Sequence, residues 1–199
     1  MLEDFSLQLR AILAELKHWP DQRAHAERRR DALERAAAIG HPRGIVVMCL
    51  GNICRSPYAE HRLRQLLAGT ELAAVSIRSA GLIGPGRPSP ANAQAVAAQR
   101  GLDLKAHVSE TLTPELVAQA DVVLVMATSQ ARALSGRVAV RTERIFILGD
   151  FDPELIRRRE IHDPFKGDAD VFSASYDRID RCLADFVEAL RDGWAGEAR

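Results

Sequence analysis

The chain has 199 residues, of which 47% are hydrophobic and 27% charged. That composition excludes a disordered chain and a membrane bundle, and 27 Lys+Arg against 27 Asp+Glu argues against a nucleic-acid binder that relies on bulk positive charge. Three cysteines, an odd number, do not make a disulfide framework and fit a reducing, cytoplasmic setting.

The N-terminus, MLEDFSLQLRAILAEL, has no basic n-region and no small-residue cleavage site, so it does not read as a signal peptide. Leu2, Phe5, Leu9, Ile12, Leu13 and Leu16 recur at helical spacing, which predicts an amphipathic helix ending near Trp19-Pro20. A second helix is expected in DQRAHAERRRDALERAAAIG, with Asp31–Arg35 at i,i+4 and Gly40 as its stop. It has few large apolar residues, which predicts a largely wet surface. Residues 1–43 therefore read as a helical arm, a candidate for self-association or partner docking, because the apolar face of residues 2–16 needs cover.

From Gly44 the pattern changes to strands alternating with helices. Ile45–Leu50 reads as a buried strand, followed by a helix with Ser56 as N-cap and Pro57 in the first turn. Ala74–Ser79, Val122–Met126 and Arg144–Leu148 are the further strands. Ser89-Pro90 and Thr113-Pro114 open helices between them. A last helix spans about Phe172–Leu190, with Ile179, Cys182, Leu183, Phe186 and Leu190 on one face. Continuous apolar strands separated by helices mean an α/β domain with a parallel sheet covered on both faces. The domain is expected over residues 44–191, with 192–199 as a tail. No stretch is long and apolar enough for a membrane span.

The segment that carries chemistry is Cys49-Leu50-Gly51-Asn52-Ile53-Cys54-Arg55-Ser56. It lies where the first strand ends and a helix begins, which is where open parallel sheets bind ligands. A loop wound into a helix N-terminus turns backbone N–H groups inward, and the helix dipole adds positive potential. Gly51 permits a tight turn and Asn52 tolerates left-handed angles. Arg55 can hold two oxygens of a tetrahedral anion with its planar fork. Helix N-termini and facing guanidinium groups favour the thiolate form of a cysteine, so Cys49 is a candidate nucleophile in line with a bound phosphorus. Departure of an alkoxide or phenoxide also needs an acid. Two Asp-Pro pairs could supply it, Asp152-Pro153 and Asp163-Pro164. None of His18, His25, His41, His61 and His162 joins a metal-ligand pattern.

CLGNICRSPYAE resembles the signature of the low-molecular-weight protein tyrosine phosphatases, and the similarity covers about residues 44–191. The resemblance implies a four-stranded parallel sheet in the order 2-1-3-4, no metal and no cofactor. It implies Cys49 as nucleophile, Arg55 as phosphate clamp, and Leu50, Gly51, Asn52, Ile53, Cys54 and Ser56 as the phosphate loop. Asn52, Ser56, Ser79 and His107 match residues that hold that loop in shape, and Ser56 matches one that assists departure of the thiolate. The family's acid lies in a DP loop just before the last helix, which selects Asp163 over Asp152. The implied substrate is a phosphotyrosine-containing protein, with Leu82 and Phe165 as a wall for its ring. In the family, cysteines at the positions of Cys49 and Cys54 form a protective disulfide; the plain alternative is that Cys54 only packs.

Three departures stand out. Family members commonly carry Asp where this chain has Ala127. Paired tyrosines of eukaryotic members are Phe165-Lys166 here, and a variable aromatic is replaced by Leu82-Ile83. The rival readings are a protein-arginine phosphatase of the same family, disfavoured because those tend to carry Thr at Ile53, and a non-catalytic phosphate-binding or redox-sensing module. An arsenate reductase of this fold would need redox cysteines that residues 80–120 lack.

Overall fold

Six residues from Gly44 to Cys49 are buried without a break, and the molecule is built around them. The computed structural model describes residues 24–138, 140–156 and 158–197. Helix α1 occupies 24–39. It is followed by β1 (Gly44–Cys49), α2 (Arg55–Leu67), β2 (Ser76–Gly81), α3 (Ala91–Gln99), α4 (Pro114–Ala118), β3 (Val122–Val125), α5 (Thr128–Arg137), β4 (Ile145–Ile147) and α6 (Ala169–Glu197). The strands form one sheet in the order β2-β1-β3-β4, and every pairing is parallel, as the resemblance implies. Because side chains alternate across a strand, β1 feeds two cores. Ile45, Val47 and Cys49 join the layer under α2, α3 and α6. Val46 and Met48 join the layer with Val117 and Leu134.

The expected face of the last helix is the observed one, since Ile179, Cys182, Leu183, Phe186 and Leu190 are all buried. Each large apolar side chain buried in this way stabilises the fold by about 1.5–3 kcal/mol. The helix starts earlier than expected, at Ala169, and continues past residue 191 to Glu197. Strand β2 begins at Ser76 rather than Ala74, because residues 70–74 form a turn in which Thr70 Oγ donates to the Leu67 carbonyl and accepts from Leu72 N–H. Helix α5 was not expected. Among its described side chains only Gln130 and Leu134 are buried, too little for a readable apolar stripe.

The first expected helix, over residues 2–16, lies outside the described residues. The second corresponds to α1, and Gly40 ends it with φ +58°. It is not wet along its length, because its small residues are its packing surface. Ala32 and Ala36 are buried in the main core. A Cβ at Gly193 would stand 1.8 Å from the Ala37 carbonyl oxygen, so the backbones of α1 and α6 touch. Arg35 crosses to the sheet edge, donating to the carbonyls of Glu143 and Ile145 and lying 4.3 Å from the Phe146 ring centroid. No helix among the described residues is long and apolar enough to cross a membrane.

Candidate active site

Strand β1 delivers Cys49 to the carboxyl edge of the sheet, and the chain turns through residues 50–54 into α2. The pivot is Asn52, with φ +50° and no solvent exposure. Its side-chain amide donates to Ser56 Oγ and Ser79 Oγ, both at 2.9 Å. Its side-chain oxygen accepts from Glu110 N–H at 2.8 Å, and its carbonyl accepts from His107 Nε2 at 2.7 Å. These bonds hold a left-handed turn that costs an L-residue about 1–2 kcal/mol. With the carbonyl drawn outward, Asn52 N–H lies 3.2 Å from Cys49 Sγ. Gly81, at the end of β2, permits the close approach: a Cβ there would stand 2.9 Å from Asn52 N.

Ser56 does not cap α2. The N-cap position is Cys54, with no side-chain cap bond. The Ser56 hydroxyl instead lies 3.1 Å from Cys49 Sγ while accepting from Asn52, which leaves its own proton available to the sulfur. Arg55, the first residue of α2, is only 4% exposed. Its Nη1 donates to the Ile161 carbonyl at 2.9 Å and its Nη2 pairs with the Asp163 carboxylate. Its Nε is buried without a partner, an unsatisfied donor of the kind a bound oxyanion would satisfy. First-turn N–H groups of α2 have no partner within the helix and face the same direction as the dipole's positive end.

Asp163 and Asp152 have different surroundings. Asp163 shares a cavity of about 90 Å³ with Cys49, Leu50, Gly51, Ile53, Cys54, Arg55, Ile83, Arg87 and Phe165. Asp152 is fully buried away from that cavity. Its carboxylate accepts from Arg178 at 2.8 Å and Arg181 at 2.7 Å, its Oδ1 accepts from Glu154 N–H, and its carbonyl accepts from His25 Nε2 at 2.9 Å. A wider cleft, of about 380 Å³ between α1, α5 and β4, has no cysteine or histidine in its lining.

The mouth of the cavity is apolar: Leu50, Ile83 and Phe165 are 45%, 49% and 50% exposed. Leu82 is not among the lining residues. It packs against the second core layer, while in the bend after β2 Ile83 is half-exposed and takes the rim. Arg87 escaped the sequence reading. It sits in a Gly-Pro-rich turn with no periodic signal, yet its guanidinium donates to the carbonyls of Gly84 and Gly51 and closes one side of the loop. Tyr176 of α6 carries no sequence signal for the loop either, and its hydroxyl donates to the Cys54 carbonyl at 3.1 Å. Burial, reinforced by the Asp163 carboxylate and Cys49, pushes the Cys54 thiol up to about 12. Cys182 is buried in the core, and burial raises its thiol as well.

The chain is related to known proteins over this same region. The family model described as low molecular weight phosphotyrosine protein phosphatase matches residues 44–194. The low molecular weight protein-tyrosine-phosphatase Etp of Escherichia coli K12 is 33% identical over 150 residues, spanning 73% of this chain and 93% of Etp. The crystal structure of the Erwinia amylovora tyrosine phosphatase AmsI superposes with a TM-score of 0.66 at 30% identity, covering 74% of this chain and 92% of AmsI. The YwlE arginine phosphatase of Geobacillus stearothermophilus superposes with a TM-score of 0.64 at 27% identity, covering 74% and 92% of the two chains. With the cysteine, the arginine and their loop on the carboxyl edge of a 2-1-3-4 sheet, this chain belongs to the low molecular weight phosphotyrosine protein phosphatase family.

Proposed function

We propose that the chain hydrolyses phosphotyrosine esters in protein substrates through a phosphocysteine intermediate. Cys49 Sγ attacks phosphorus, the bond from phosphorus to the phenolic oxygen breaks, and Asp163 gives that oxygen a proton. Arg55 and the loop N–H groups hold the equatorial oxygens as charge redistributes. In the second half, Asp163 takes a proton from water as the water attacks phosphocysteine, and the Ser56 hydroxyl donates to the departing sulfur. The observation that carries this reading is the meeting of Cys49, Arg55 and Asp163 in one small cavity with an apolar rim. Ser79 and His107 support the loop through Asn52, and Phe165 with Ile83 offers apolar surface to an aryl ring.

The arginine-phosphatase reading draws on the YwlE similarity. Against it stands Ile53, which lines the cavity with an aliphatic side chain and supplies no hydroxyl. A non-catalytic module would leave the convergence of a buried unsatisfied Arg55 donor and an acid unexplained. Cys54 is the candidate partner for an oxidised Cys49, and a reducing cytoplasm suits a free catalytic thiol. The test is turnover of para-nitrophenyl phosphate by the wild type and Cys49→Ser, with phosphotyrosine and phosphoarginine peptides compared. Turnover lost in Cys49→Ser and preference for phosphotyrosine are expected. Equal turnover in the variant, or preference for phosphoarginine, overturns the reading.

A further inference from the structure

Helix α5 begins directly after β3, and its N-terminus is capped in an unusual way. The N-cap residue is Ala127, which has no side chain to offer. The exposed amide of Thr128 is taken by Glu160 instead, whose Oε1 accepts from Thr128 N–H at 3.2 Å and from Thr128 Oγ at 2.7 Å. A carboxylate at this end of a helix is also favoured by the dipole. Glu160 lies 32 residues beyond Thr128 along the chain and belongs to the segment that leads into Asp163. The adjoining backbone is held from three more directions. Ile161 N–H donates to the Met126 carbonyl at 3.0 Å, Arg178 of α6 donates to the Glu160 carbonyl at 2.8 Å, and Arg55 donates to the Ile161 carbonyl. Ile161 therefore links the end of β3 to the phosphate-binding arginine, and Asp163 follows two residues later.

We infer that Glu160 is a positioning residue for Asp163: its carboxylate caps α5 from the acid loop, so the start of α5 and the proton donor move as one unit. The inference rests on the reading of Asp163 as proton donor. A capping Asp at position 127 would cap α5 at its own N-cap, accepting from the Ser129 or Gln130 N–H, and leave the helix end independent of the acid loop. With Ala127 the cap is supplied across the cleft, and capping and acid placement become a single interaction. Placement matters because proton delivery falls off steeply when the donor is misplaced by an ångström.

Proton delivery matters most when the leaving group is poor, so the readout is kcat/KM for phenyl phosphate against 2,4-dinitrophenyl phosphate. Asp163→Asn sets the scale; if it lowers both substrates equally, the reading of Asp163 itself fails. Given a selective effect there, Glu160→Ala is expected to lower kcat/KM for phenyl phosphate about tenfold and to change the dinitrophenyl ester less than about twofold. Glu160→Gln, which can still accept from Thr128, is expected to recover most of the loss. The Ala127→Asp/Glu160→Ala double variant separates a cap from a tether: its thermal midpoint should return toward wild type while the phenyl phosphate defect persists. Recovery of both by the double variant, an equal loss on both substrates in Glu160→Ala, or no loss at all overturns the inference.

Discussion

The two halves of the active site are built on different plans. The phosphate loop is local: eight consecutive residues, Cys49 to Ser56, contain the proposed nucleophile and clamp, and Cys49, Asn52 and Ser56 bond one another. The acid segment, 158–165, makes few bonds with itself and is held by side chains from α2, α5 and α6. Arg178 alone donates to the carbonyls of Arg158 and Glu160 while pairing with Asp152. Arg159 is fixed by both carboxylate oxygens of Asp150, and Ser175 donates to the His162 carbonyl. Preorganisation is thus written into contiguous sequence on one side and assembled by tertiary structure on the other.

The sharpest way to break this comparison is to exchange the two Asp-Pro carboxylates. Asp163→Asn should lower kcat/KM for a poor leaving group by about a hundredfold or more, the size of a lost general acid, with little change in the thermal midpoint. Asp152→Asn should do the reverse. It unpairs two arginines around a buried carboxylate, a loss of about 3 kcal/mol or more, while turnover per folded molecule stays within a few-fold. Steady-state kinetics with thermal unfolding on both variants reads the contrast. Comparable kinetic losses would mean that Asp152 acts in the chemistry.

The same contrast explains what could be read from the chain. The four strands, the helices other than α5 and the loop Cys49–Ser56 were legible because their signals are short-range: unbroken apolar runs, and a glycine, an asparagine and an arginine at fixed spacing. The capping rule, being local, makes Ser56 a helix cap, whereas the resemblance puts it in the phosphate loop; in the structure Asn52 and Cys49 claim its hydroxyl once the loop closes. Ile83 in place of Leu82 is a matter of which residue the bend after β2 turns to the rim. Arg87, Glu160 and the docking of α1 left no periodic trace, since each depends on a partner far along the chain. The Ala-rich face of α1 reads as wet on hydropathy alone, but small residues let two helix backbones touch.

A smaller effect is expected from within the phosphate loop. Asn52→Ala removes three side-chain hydrogen bonds and leaves a β-carbon at φ +50°. At about 1 kcal/mol for each bond, the fold should lose about 3 kcal/mol, and turnover should fall about tenfold as the loop loosens. Asn52→Gly loses the same bonds but relieves the backbone, so it should be the more stable of the two by about 1 kcal/mol. Denaturant unfolding ranks them; Asn52→Gly no better than Asn52→Ala would mean that the left-handed turn carries no strain.

Cys54 is where the two plans meet, since it lies in the phosphate loop and the acid loop's Asp163 helps to keep it protonated. Peroxide converts a thiolate at Cys49 to sulfenic acid; Cys54 sulfur then attacks that sulfur, a disulfide forms and the oxygen leaves as water. Attack requires the thiolate. With burial holding the Cys54 thiol well above its ordinary range, only a small fraction is ionised at neutral pH, and that fraction grows about tenfold for each pH unit. Disulfide formation after a peroxide pulse, followed by mass spectrometry, should accelerate about a hundredfold between pH 7 and 9. Burial is the larger cause of the shift and Asp163 the next. Asp163→Asn should therefore speed the reaction at any one pH by a few-fold only. A rate independent of pH would place the oxidised partner elsewhere, and a rate unmoved by Asp163→Asn would show that the two loops are electrostatically separate.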